Sequence, residues 1–457
     1  MDDNQNTPKY LENATKIVDK WVEYKRFFKR VPGIAVGIVF KDSLVFSNGY
    51  GYEDLKTKKK LTDKTCFRIA SISKTFTATV MMQLAEQEKL QLDDKVRRYL
   101  PWFKSTKDKE LDKITIKQLL SHSSGVNRDG DTSHWEDDNF PNLESIKKQV
   151  QEGVSIYAPI EKFKYSNLGF AILGEVIKAV SGKSYENCVT KQIIAPLQMT
   201  NTYPDLVDEA KNNLSTGYSM DIPGQDREVF PFTNTQAMAS ATGFISNVVD
   251  LCKYLSAHFA KSNKLLSDGG KREIQRVHWM RKDKDEHYGL GFMIWKNEKM
   301  QLVGHGGGFQ GYITRIAMDT EEKIGVVALT NAIDGPALTI ANGIFQVIRY
   351  FKDNQDSFKT GKKRENFSKY EGLFAGRWGH LQIVEVNGHI FGFAPSEDKP
   401  MEYTYKLEYL EKDEFKILET DEFDYIGEKI KFTFDKDKRL AGLVLGPNPM
   451  KLFTIPK

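Results

Sequence analysis

The chain has 457 residues, of which 40% are hydrophobic and 12% aromatic, and its 66 basic residues are nearly balanced by 62 acidic ones, for a net charge of +4. This length and apolar content predict a folded protein of two domains and exclude an intrinsically disordered chain. Because acidic residues are interspersed among the basic ones, the surface is mixed in charge, which argues against a nucleic-acid partner.

Cysteine usage and the start of the chain bear on its compartment. Cys66, Cys188 and Cys252 are too few and too widely spaced for a disulfide framework or a zinc site, a pattern typical of a reducing compartment. The first residues, MDDNQ, are polar and no apolar segment follows, so no secretory signal is predicted. No stretch is apolar over the length of a membrane crossing. We therefore predict a cytoplasmic protein with no membrane partner and no metal.

The first predicted elements are a helix and a hairpin. Residues 10–29 repeat apolar side chains at helical spacing, which predicts an amphipathic helix. Pro32 and Gly33 end that pattern, and residues 34–40 and 44–50 are typical of two strands joined by a tight turn. A helix followed by a hairpin predicts a sheet covered on one face.

The next stretch, residues 67–78, has the sequence FRIASISKTFTA. An apolar run ends at Ser71, and apolar residues at helical spacing then predict a helix that carries Ser71 and Lys74 on one side. The lysine amine can take the serine proton while the serine oxygen attacks a carbonyl. The positive end of a buried helix disfavours a second positive charge, which favours the neutral form of Lys74.

The Ser-x-x-Lys spacing is not specific by itself. Ser145 with Lys148 shares it, and so does Ser396 with Lys399. Both of those pairs lie in charged surroundings and are predicted to be solvated surface, whereas apolar residues flank Ser71 on both sides. An incidental serine and lysine at a helix start stays the alternative until further motifs are found.

The middle of the chain continues with mixed elements. Residues 116–122 predict a short helix, and residues 127–144 predict a long loop of the kind that borders binding sites. The elements predicted after it are a helix that ends at Ser181-Gly182, a second helix near Ser184, a small-residue turn over 239–244, a helix over 248–259, strands over 303–312, 314–318 and 324–330, and a helix over 337–351.

A second motif, Tyr165-Ser166-Asn167, stands in a loop immediately before a helix. A tyrosine near a cationic lysine can hold a depressed pKa and act as a base or proton shuttle. An asparagine amide can hold the lysine and a substrate carbonyl. Tyr185-Glu186-Asn187 repeats the spacing at an ordinary helix start, so this motif is not specific either.

A third motif, GHGGGF at residues 304–309, lies within a predicted strand. Consecutive glycines let a substrate lie against the strand edge. A backbone N–H there can form an oxyanion hole with the N–H of Ser71. Taken singly, the glycines are as well explained by a tight turn, and the histidine by a core position.

Together and in this order, the three motifs resemble the serine β-lactamase and penicillin-binding protein superfamily. The resemblance is closest to its class C β-lactamase-like branch, which includes D-aminopeptidases, D-Ala-D-Ala carboxypeptidase-like enzymes and esterases. It covers about residues 15–350 and extends to LLSHSSG at 119–125, SGKSY at 181–185 and YGLGF at 288–292. It implies an α/β (α+β) fold, with an antiparallel sheet flanked by helices and the nucleophile at the head of the central helix.

The resemblance also implies a role for each residue of the first two motifs. Ser71 is implied to be the acylated nucleophile, Lys74 its proton acceptor and Tyr165 the general base. Asn167 is implied to be a positioning group. His122, within LLSHSSG, is expected to be structural and near the site.

For the strand motif, the resemblance implies that Gly306, Gly307 and Gly308 bind substrate. The Gly308 N–H is implied to pair with that of Ser71 as the oxyanion hole, with Gly307 as the alternative. His305, counted among the catalytic residues, departs from penicillin-recognising enzymes, which commonly have lysine there to meet the substrate carboxylate. A histidine is mostly neutral at pH 7, which favours peptides, amides or esters as substrates.

We therefore predict a serine hydrolase that needs no metal or cofactor and cleaves peptides or amides, including D-amino-acid compounds, through an acyl-enzyme. A β-lactamase or a carboxylesterase of the same fold is the alternative among enzymes. A non-catalytic, penicillin-binding-like scaffold is the alternative outside them. In each case the expected partner is a small peptide, amide or ester.

The C-terminal part changes in pattern. Residues 356–366 are polar and charged and predict a linker between a hydrolase domain over 1–355 and a second domain over 367–457. The second domain contains short alternating runs separated by turns, which predict a small antiparallel all-β barrel. It resembles the lipocalin-like domain of some branch members, with residues 374–379 as its opening strand. Ligand binding, gating of the site and homo-oligomer formation are all open as its role.

Overall fold

The computed structural model describes residues 7–282, 284–358, 367–421 and 425–456. The polar start of the chain, residues 1–6, and most of the predicted linker, residues 359–366, lie outside the described residues. Residues 356–358 of that linker belong to a 3₁₀ turn, Gln355–Phe358.

The helices and strands are labelled in chain order. The described α-helices are α1 (Lys9–Phe28), α2 (Ser73–Glu86), α3 (Val96–Tyr99), α4 (Ile116–Leu120), α5 (His134–Asp137), α6 (Leu143–Glu152), α7 (Asn167–Ser181), α8 (Tyr185–Val189), α9 (Asp208–Lys211), α10 (Val248–Ala257), α11 (Asp268–Gln275) and α12 (Ala337–Asp353). The described strands are β1 (Gly33–Phe40), β2 (Ser43–Asp54), β3 (Lys59–Lys60), β4 (Phe67–Arg68), β5 (Ile245–Ser246), β6 (Glu286–Tyr288), β7 (Met293–Asn297), β8 (Met300–Phe309), β9 (Tyr312–Asp319), β10 (Ile324–Thr330), β11 (Gly372–Ala375), β12 (His380–Val386), β13 (His389–Phe393), β14 (Thr404–Glu411), β15 (Glu414–Thr420), β16 (Lys429–Phe434), β17 (Leu440–Leu445) and β18 (Asn448–Phe453).

The described chain divides into two compact units, one over Val31–Leu338 and the other formed by the residues up to Arg30 with those from Thr339 onward. The first unit contains an eight-stranded sheet in the order β3-β2-β1-β10-β9-β8-β7-β6. Its neighbours pair antiparallel, and β1 pairs with β10 from Ile34↔Thr330 to Phe40↔Ile324. The predicted fold class, an antiparallel sheet flanked by helices, is confirmed.

The central helix is more buried than the sequence predicted. Every residue of α2 from Ser73 to Leu84 is buried, because α7, α8 and α11 all pack against this helix. The helix also begins two residues later than predicted, since Ala70–Ile72 forms a 3₁₀ turn before the α-helix starts.

One predicted strand was wrong in extent. The run over 303–312 is two strands, because β8 ends at Phe309 and β9 starts at Tyr312. Gly311, at φ +82, lies in the turn between them, where an L side chain is unfavourable. The predicted helix end at Ser181-Gly182 is confirmed, with Gly182 in the left-handed conformation after α7.

The second unit contains α1, α12 from Thr339 onward, and a closed barrel formed by β11 to β18 in order. The predicted barrel is therefore confirmed. Its opening strand is Gly372–Ala375, so the strand predicted over 374–379 was wrong beyond residue 375. Strand β18 pairs with β11 to close the barrel. The domain boundaries predicted at 355 and 366 stay predictions.

Candidate active site

The turn that carries Ser71 has a constrained backbone. Ala70 lies at φ +50, a left-handed conformation that is unusual for a residue with a side chain. The hydroxyl of Ser73 donates to the Ala70 carbonyl at 2.5 Å and accepts the Phe244 amide at 3.1 Å. These two bonds tie the turn in place and present the half-buried Ser71 at the head of α2.

Lys74 lies directly beside Ser71. Its Nζ is 2.9 Å from the Ser71 Oγ and 2.8 Å from the Ala241 carbonyl oxygen. The side chain is completely buried, and loss of solvation holds the pKa of the Lys74 amine well below its usual range. An uncharged amine keeps a lone pair. Since the Ala241 oxygen can only accept a hydrogen, the amine lone pair is free to take the proton of Ser71.

Tyr165 completes the contact around Ser71. Its ring centroid lies 4.9 Å from the Lys74 Nζ, and an interaction with the Ser71 side chain lowers the pKa of its phenol, by less than burial raises it. The expected depression of the tyrosine pKa was wrong, since burial raises the pKa of Tyr165 above its ordinary value. The reason is that loss of solvation outweighs the smaller lowering effects of Ser71 and Arg128 on the phenol.

Asn167 lies at the first residue of α7, but its amide does not hold Lys74. Its Nδ2 donates to the Asp129 carboxylate at 2.6 Å, and its buried Oδ1 has no hydrogen-bond partner among the described residues. The expectation that this amide binds the lysine was therefore wrong. The helix start itself is fixed by Ser166, whose Oγ accepts the Gly169 amide at 2.8 Å.

Two charged residues of the segment over 127–144, which was predicted as a loop but contains α5 and the first residues of α6, act on the site electrostatically. Asp129 raises the pKa of Lys74 and Arg128 lowers it, both by less than burial does. The Arg128 Nε lies 3.1 Å from the Asp129 carboxylate, so the two charges partly offset one another. The segment was predicted to border the site, but no local pattern in it marks Asp129 or Arg128 as residues that act there.

The glycine motif forms an open strand edge. Strand β8 pairs with β9 as far as Phe309↔Tyr312, but its pairing with β7 stops at Met293↔Gly304. Among the described residues, Gly306–Gly308 therefore have no strand partner on the β7 side. An ideal Cβ on Gly307 would lie 2.2 Å from the Ile69 carbonyl oxygen, so only glycine allows this close approach to the Ser71 turn.

His305 is buried and uncharged at this edge. Its Nε2 lies 2.9 Å from the Tyr288 hydroxyl and its Nδ1 lies 2.6 Å from the Gly306 carbonyl oxygen. Burial lowers the pKa of His305 to about 3. Tyr288 belongs to the YGLGF segment at 288–292, and its contact with His305 was not predicted because β6 and β8 bring the two residues together only in the folded sheet.

The structure thus brings Ser71, Lys74, Tyr165, His305 and the glycine edge into one site and leaves Asn167 bound to Asp129. The Ala241 carbonyl is a further contact that the sequence did not reveal, because a backbone oxygen carries no residue signature. Within the described ranges, histidine, cysteine and carboxylate side chains form no cluster of three or more that could bind a metal.

None of the helices in the described part of the chain combines the length and the apolar character that a bilayer crossing requires.

Comparison with known proteins places this site in a family. The family model described as Beta-lactamase matches residues 18–343. Among curated proteins, Protein flp of Staphylococcus aureus strain N315 is 27% identical over 321 residues, which cover 69% of this chain and 62% of that protein. Beta-lactamase-like protein 2 of Dictyostelium discoideum is 27% identical over 339 residues, or 71% of this chain and 60% of that protein. The chain therefore matches less than two thirds of the length of these relatives.

Solved structures show the same fold. The octameric penicillin-binding protein homologue from Pyrococcus abyssi aligns with a TM-score of 0.64 and 25% identity, over 95% of this chain and 98% of that one. EstCE1, a hydrolase with promiscuous acyltransferase activity, aligns with a TM-score of 0.64 and 21% identity, over 74% of this chain and 98% of that one. The second likeness shows the fold alone.

Proposed function

The chain belongs to the beta-lactamase family, and from that premise we propose that it is a serine hydrolase that forms an acyl-enzyme at Ser71. One observation carries the proposal. The amine of Lys74, completely buried and with a pKa well below its usual range, lies 2.9 Å from the Ser71 Oγ. A neutral amine at hydrogen-bond distance from a serine hydroxyl is the arrangement that a general base needs.

In the proposed acylation, the Ser71 oxygen attacks the substrate carbonyl while its proton passes to the Lys74 Nζ. The oxyanion that forms is stabilised by the N–H groups of Ser71 and Gly308 at the strand edge. The proton then passes from Lys74 through the Tyr165 hydroxyl to the leaving group, which departs as an amine or alcohol. The raised pKa of Tyr165 supports a relay that starts as a neutral phenol, in place of a resting phenolate base.

In the proposed deacylation, water takes the position that the leaving group has vacated. One water proton passes through the Tyr165 hydroxyl to Lys74 while the water oxygen attacks the acyl carbonyl. The Ser71 oxygen leaves and recovers a proton from Lys74, which restores the starting state. Each proton that enters the relay therefore leaves it within one turnover.

For the substrate we propose peptides or amides, including D-amino-acid compounds. The uncharged His305 supports this, because it supplies no cation for a substrate carboxylate. The nearby cation on the next strand, Arg315, points away from Ser71. Its chain neighbour Thr314 donates to the Ile69 carbonyl at 3.1 Å on the Ser71 side, and side chains alternate between faces. Arg315 stacks instead on Trp295, 3.8 Å from the ring centroid.

The test is covalent labelling with an activated phosphonate, followed by peptide mapping. We expect one label, on Ser71, and complete loss of labelling in Ser71→Ala. Ser145→Ala is the matched control, because Ser145 has the same spacing to a lysine outside the site, and its labelling should equal that of the wild type. A label elsewhere, or one that survives Ser71→Ala, would contradict the proposal.

A substrate panel then separates the functions of this fold. The panel contains D-amino-acid p-nitroanilides and peptides, p-nitrophenyl esters and nitrocefin. Faster turnover of amides supports the proposed peptidase or amidase, whereas a preference for esters or nitrocefin identifies a carboxylesterase or a β-lactamase. Labelling of Ser71 without turnover of any compound would identify a scaffold that acylates once.

A further inference from the structure

Three buried side chains outside the proposed reacting groups form a chain of hydrogen bonds beside the site. The His122 Nε2 lies 3.1 Å from the Tyr288 hydroxyl, and that hydroxyl lies 2.9 Å from the His305 Nε2. All three side chains are at most 2% exposed. This chain of hydrogen bonds joins the segment that contains Tyr165 to strand β8, which contains the glycine edge.

Both ends of this chain are anchored on backbone groups of opposite character. At one end, the Ser166 amide donates to the His122 Nδ1 at 3.1 Å. At the other end, the His305 Nδ1 lies 2.6 Å from the Gly306 carbonyl oxygen. An amide N–H can only donate and a carbonyl oxygen can only accept. The His122 Nδ1 must therefore be unprotonated, and the His305 Nδ1 must carry a hydrogen.

These two backbone contacts determine which atom carries each hydrogen in the three hydrogen-bonded side chains. Neutral His122 carries its hydrogen on Nε2 and donates it to the Tyr288 oxygen. Tyr288 donates its own hydrogen to the bare Nε2 of His305. A proton added to His122 would face the Ser166 amide, and one added to His305 would leave the Tyr288 hydrogen with no acceptor in the chain. Only the doubly neutral state satisfies all four hydrogen bonds.

His122 also binds the backbone of the two residues that flank Tyr165 in the sequence. Its carbonyl accepts the Lys164 amide at 2.8 Å, while its Nδ1 accepts the amide of Ser166. Its ring centroid lies 4.2 Å from that of Tyr165. His122 itself adopts φ +56, an uncommon backbone conformation that persists only where surrounding contacts enforce it.

The segment that follows Tyr288, the middle member of the chain, is held by an equally close backbone contact. Gly291, three residues along the turn, lies at φ +72, and an ideal Cβ there would be 2.9 Å from the Lys74 carbonyl oxygen. The Gly291 amide donates to the Leu120 carbonyl at 2.9 Å. The turn that carries Tyr288 therefore rests on the backbone of the helix that carries Lys74.

We propose that His122, Tyr288 and His305 form a proton-ordered positioning chain that fixes Tyr165 relative to the glycine edge. His122 and Tyr288 are thus positioning residues that act through Tyr165 and through Gly306–Gly308. The expected effect on catalysis rests on the proposed hydrolase function. The order of the hydrogens does not, because it depends only on the folded structure of the protein.

The first test determines which ring nitrogen of His122 and of His305 carries the hydrogen. The full chain, with its 8 histidines labelled with ¹⁵N, is examined at pH 7 by spectra that correlate ring nitrogens with carbon-bound protons. His122→Asn and His305→Asn assign the two signals. We expect His122 as the Nε2–H tautomer and His305 as the Nδ1–H tautomer. The opposite tautomer or a charged ring at either position would overturn the proposal.

The second test removes the middle member of the hydrogen-bond chain, the Tyr288 hydroxyl. Tyr288→Phe keeps the ring and removes both hydrogen bonds, so we expect His305 to become a mixture of tautomers and kcat to fall about tenfold or more with KM within about twofold. Tyr254→Phe is the matched control, because Tyr254 is a buried tyrosine whose hydroxyl bonds Thr75 and Thr79 in the core. It should keep the wild-type tautomers and kcat.

The outcomes separate the two proposals. If the tautomers are as expected but the protein hydrolyses no compound of the panel, the hydrolase proposal is contradicted and the proposed order of hydrogens is supported. Normal turnover in Tyr288→Phe, or a loss no larger than in Tyr254→Phe, would overturn the positioning role while the hydrolase function stands. If Tyr288→Phe fails to fold, the tautomers of the wild-type protein still decide the order of the chain.

Discussion

At the scale of single residues, the decisive feature is the lowered pKa of Lys74, which favours the uncharged amine. Loss of solvation dominates its pKa, and Asp129 and Arg128 adjust that pKa in opposite directions. The sequence predicted the neutral amine from its place at a helix start. It did not predict the two loop charges, because their effect depends on distances that the fold creates.

The opposing charges predict opposite shifts in the pH dependence of acylation. Acylation needs neutral Lys74, so its rate rises with pH through the pKa of Lys74. Asp129→Asn removes the charge that raises this pKa and should move the rise to lower pH, whereas Arg128→Gln should move it to higher pH, each by roughly half a pH unit or more. The measurement is the pH profile of the acylation rate with an activated ester. Shifts in the same direction would contradict this electrostatic account.

At the scale of elements, the site depends on the close approach of strand β8 to the Ser71 turn. An ideal Cβ on Gly307 would meet the Ile69 oxygen at 2.2 Å and the Thr314 Oγ at 2.3 Å. The sequence indicated that the glycines serve an edge. Only the packed strand shows that Gly307 is the one that sets the separation between the edge and the turn.

This contact predicts unequal effects for two neighbouring substitutions. Gly307→Ala must push β8 away from the Ser71 turn, so the acylation rate should fall on the order of 10²-fold. Gly308→Ala should lose much less, because its Cβ would meet only the Ile313 Cδ1, at an ordinary 3.6 Å. Single-turnover acylation of both variants provides the comparison. An equal loss in the two variants would show that crowding at the turn is not the cause.

At the scale of the whole molecule, the first helix belongs to the same compact unit as the barrel. The Trp21 Nε1 donates to the Glu397 carbonyl at 3.2 Å. The buried Lys25 amine donates to the Ser396 carbonyl and the Asp398 carboxylate, each at 2.7 Å. These contacts join residues that are more than 370 positions apart in sequence, and no local pattern could have predicted them.

The barrel interior is filled by its own side chains. An apolar cluster occupies it, formed by residues such as Tyr370, Phe374, Phe415 and Phe432, as expected for a barrel of eight strands. A ligand inside the barrel would have to displace that cluster. Ligand binding, self-association and gating of the site all stay open predictions for this part of the chain.

The packing of the first helix predicts that two tryptophans of this unit differ sharply. Trp21 is fully buried, so Trp21→Ala should lower the free energy of unfolding by about 3–5 kcal/mol. Trp378 is 86% exposed, so Trp378→Ala should change it by less than about 0.5 kcal/mol. Urea unfolding followed by circular dichroism measures both. A small effect of Trp21→Ala would refute the role of α1 in this unit.

Local chemistry determined the part of this protein that was predictable from its sequence. Periodic apolar residues predicted helices and strands, with errors in where some of them begin and end, and the Ser71, Tyr165 and GHGGGF motifs, in their order, carried the family resemblance that implied the fold class. The tertiary structure decided what depends on distance and desolvation: the raised pKa of Tyr165, the pairing of Asn167 with Asp129, and the link from His122 through Tyr288 to His305. Such properties arise only when segments far apart in sequence exclude water together, which no single stretch of residues encodes.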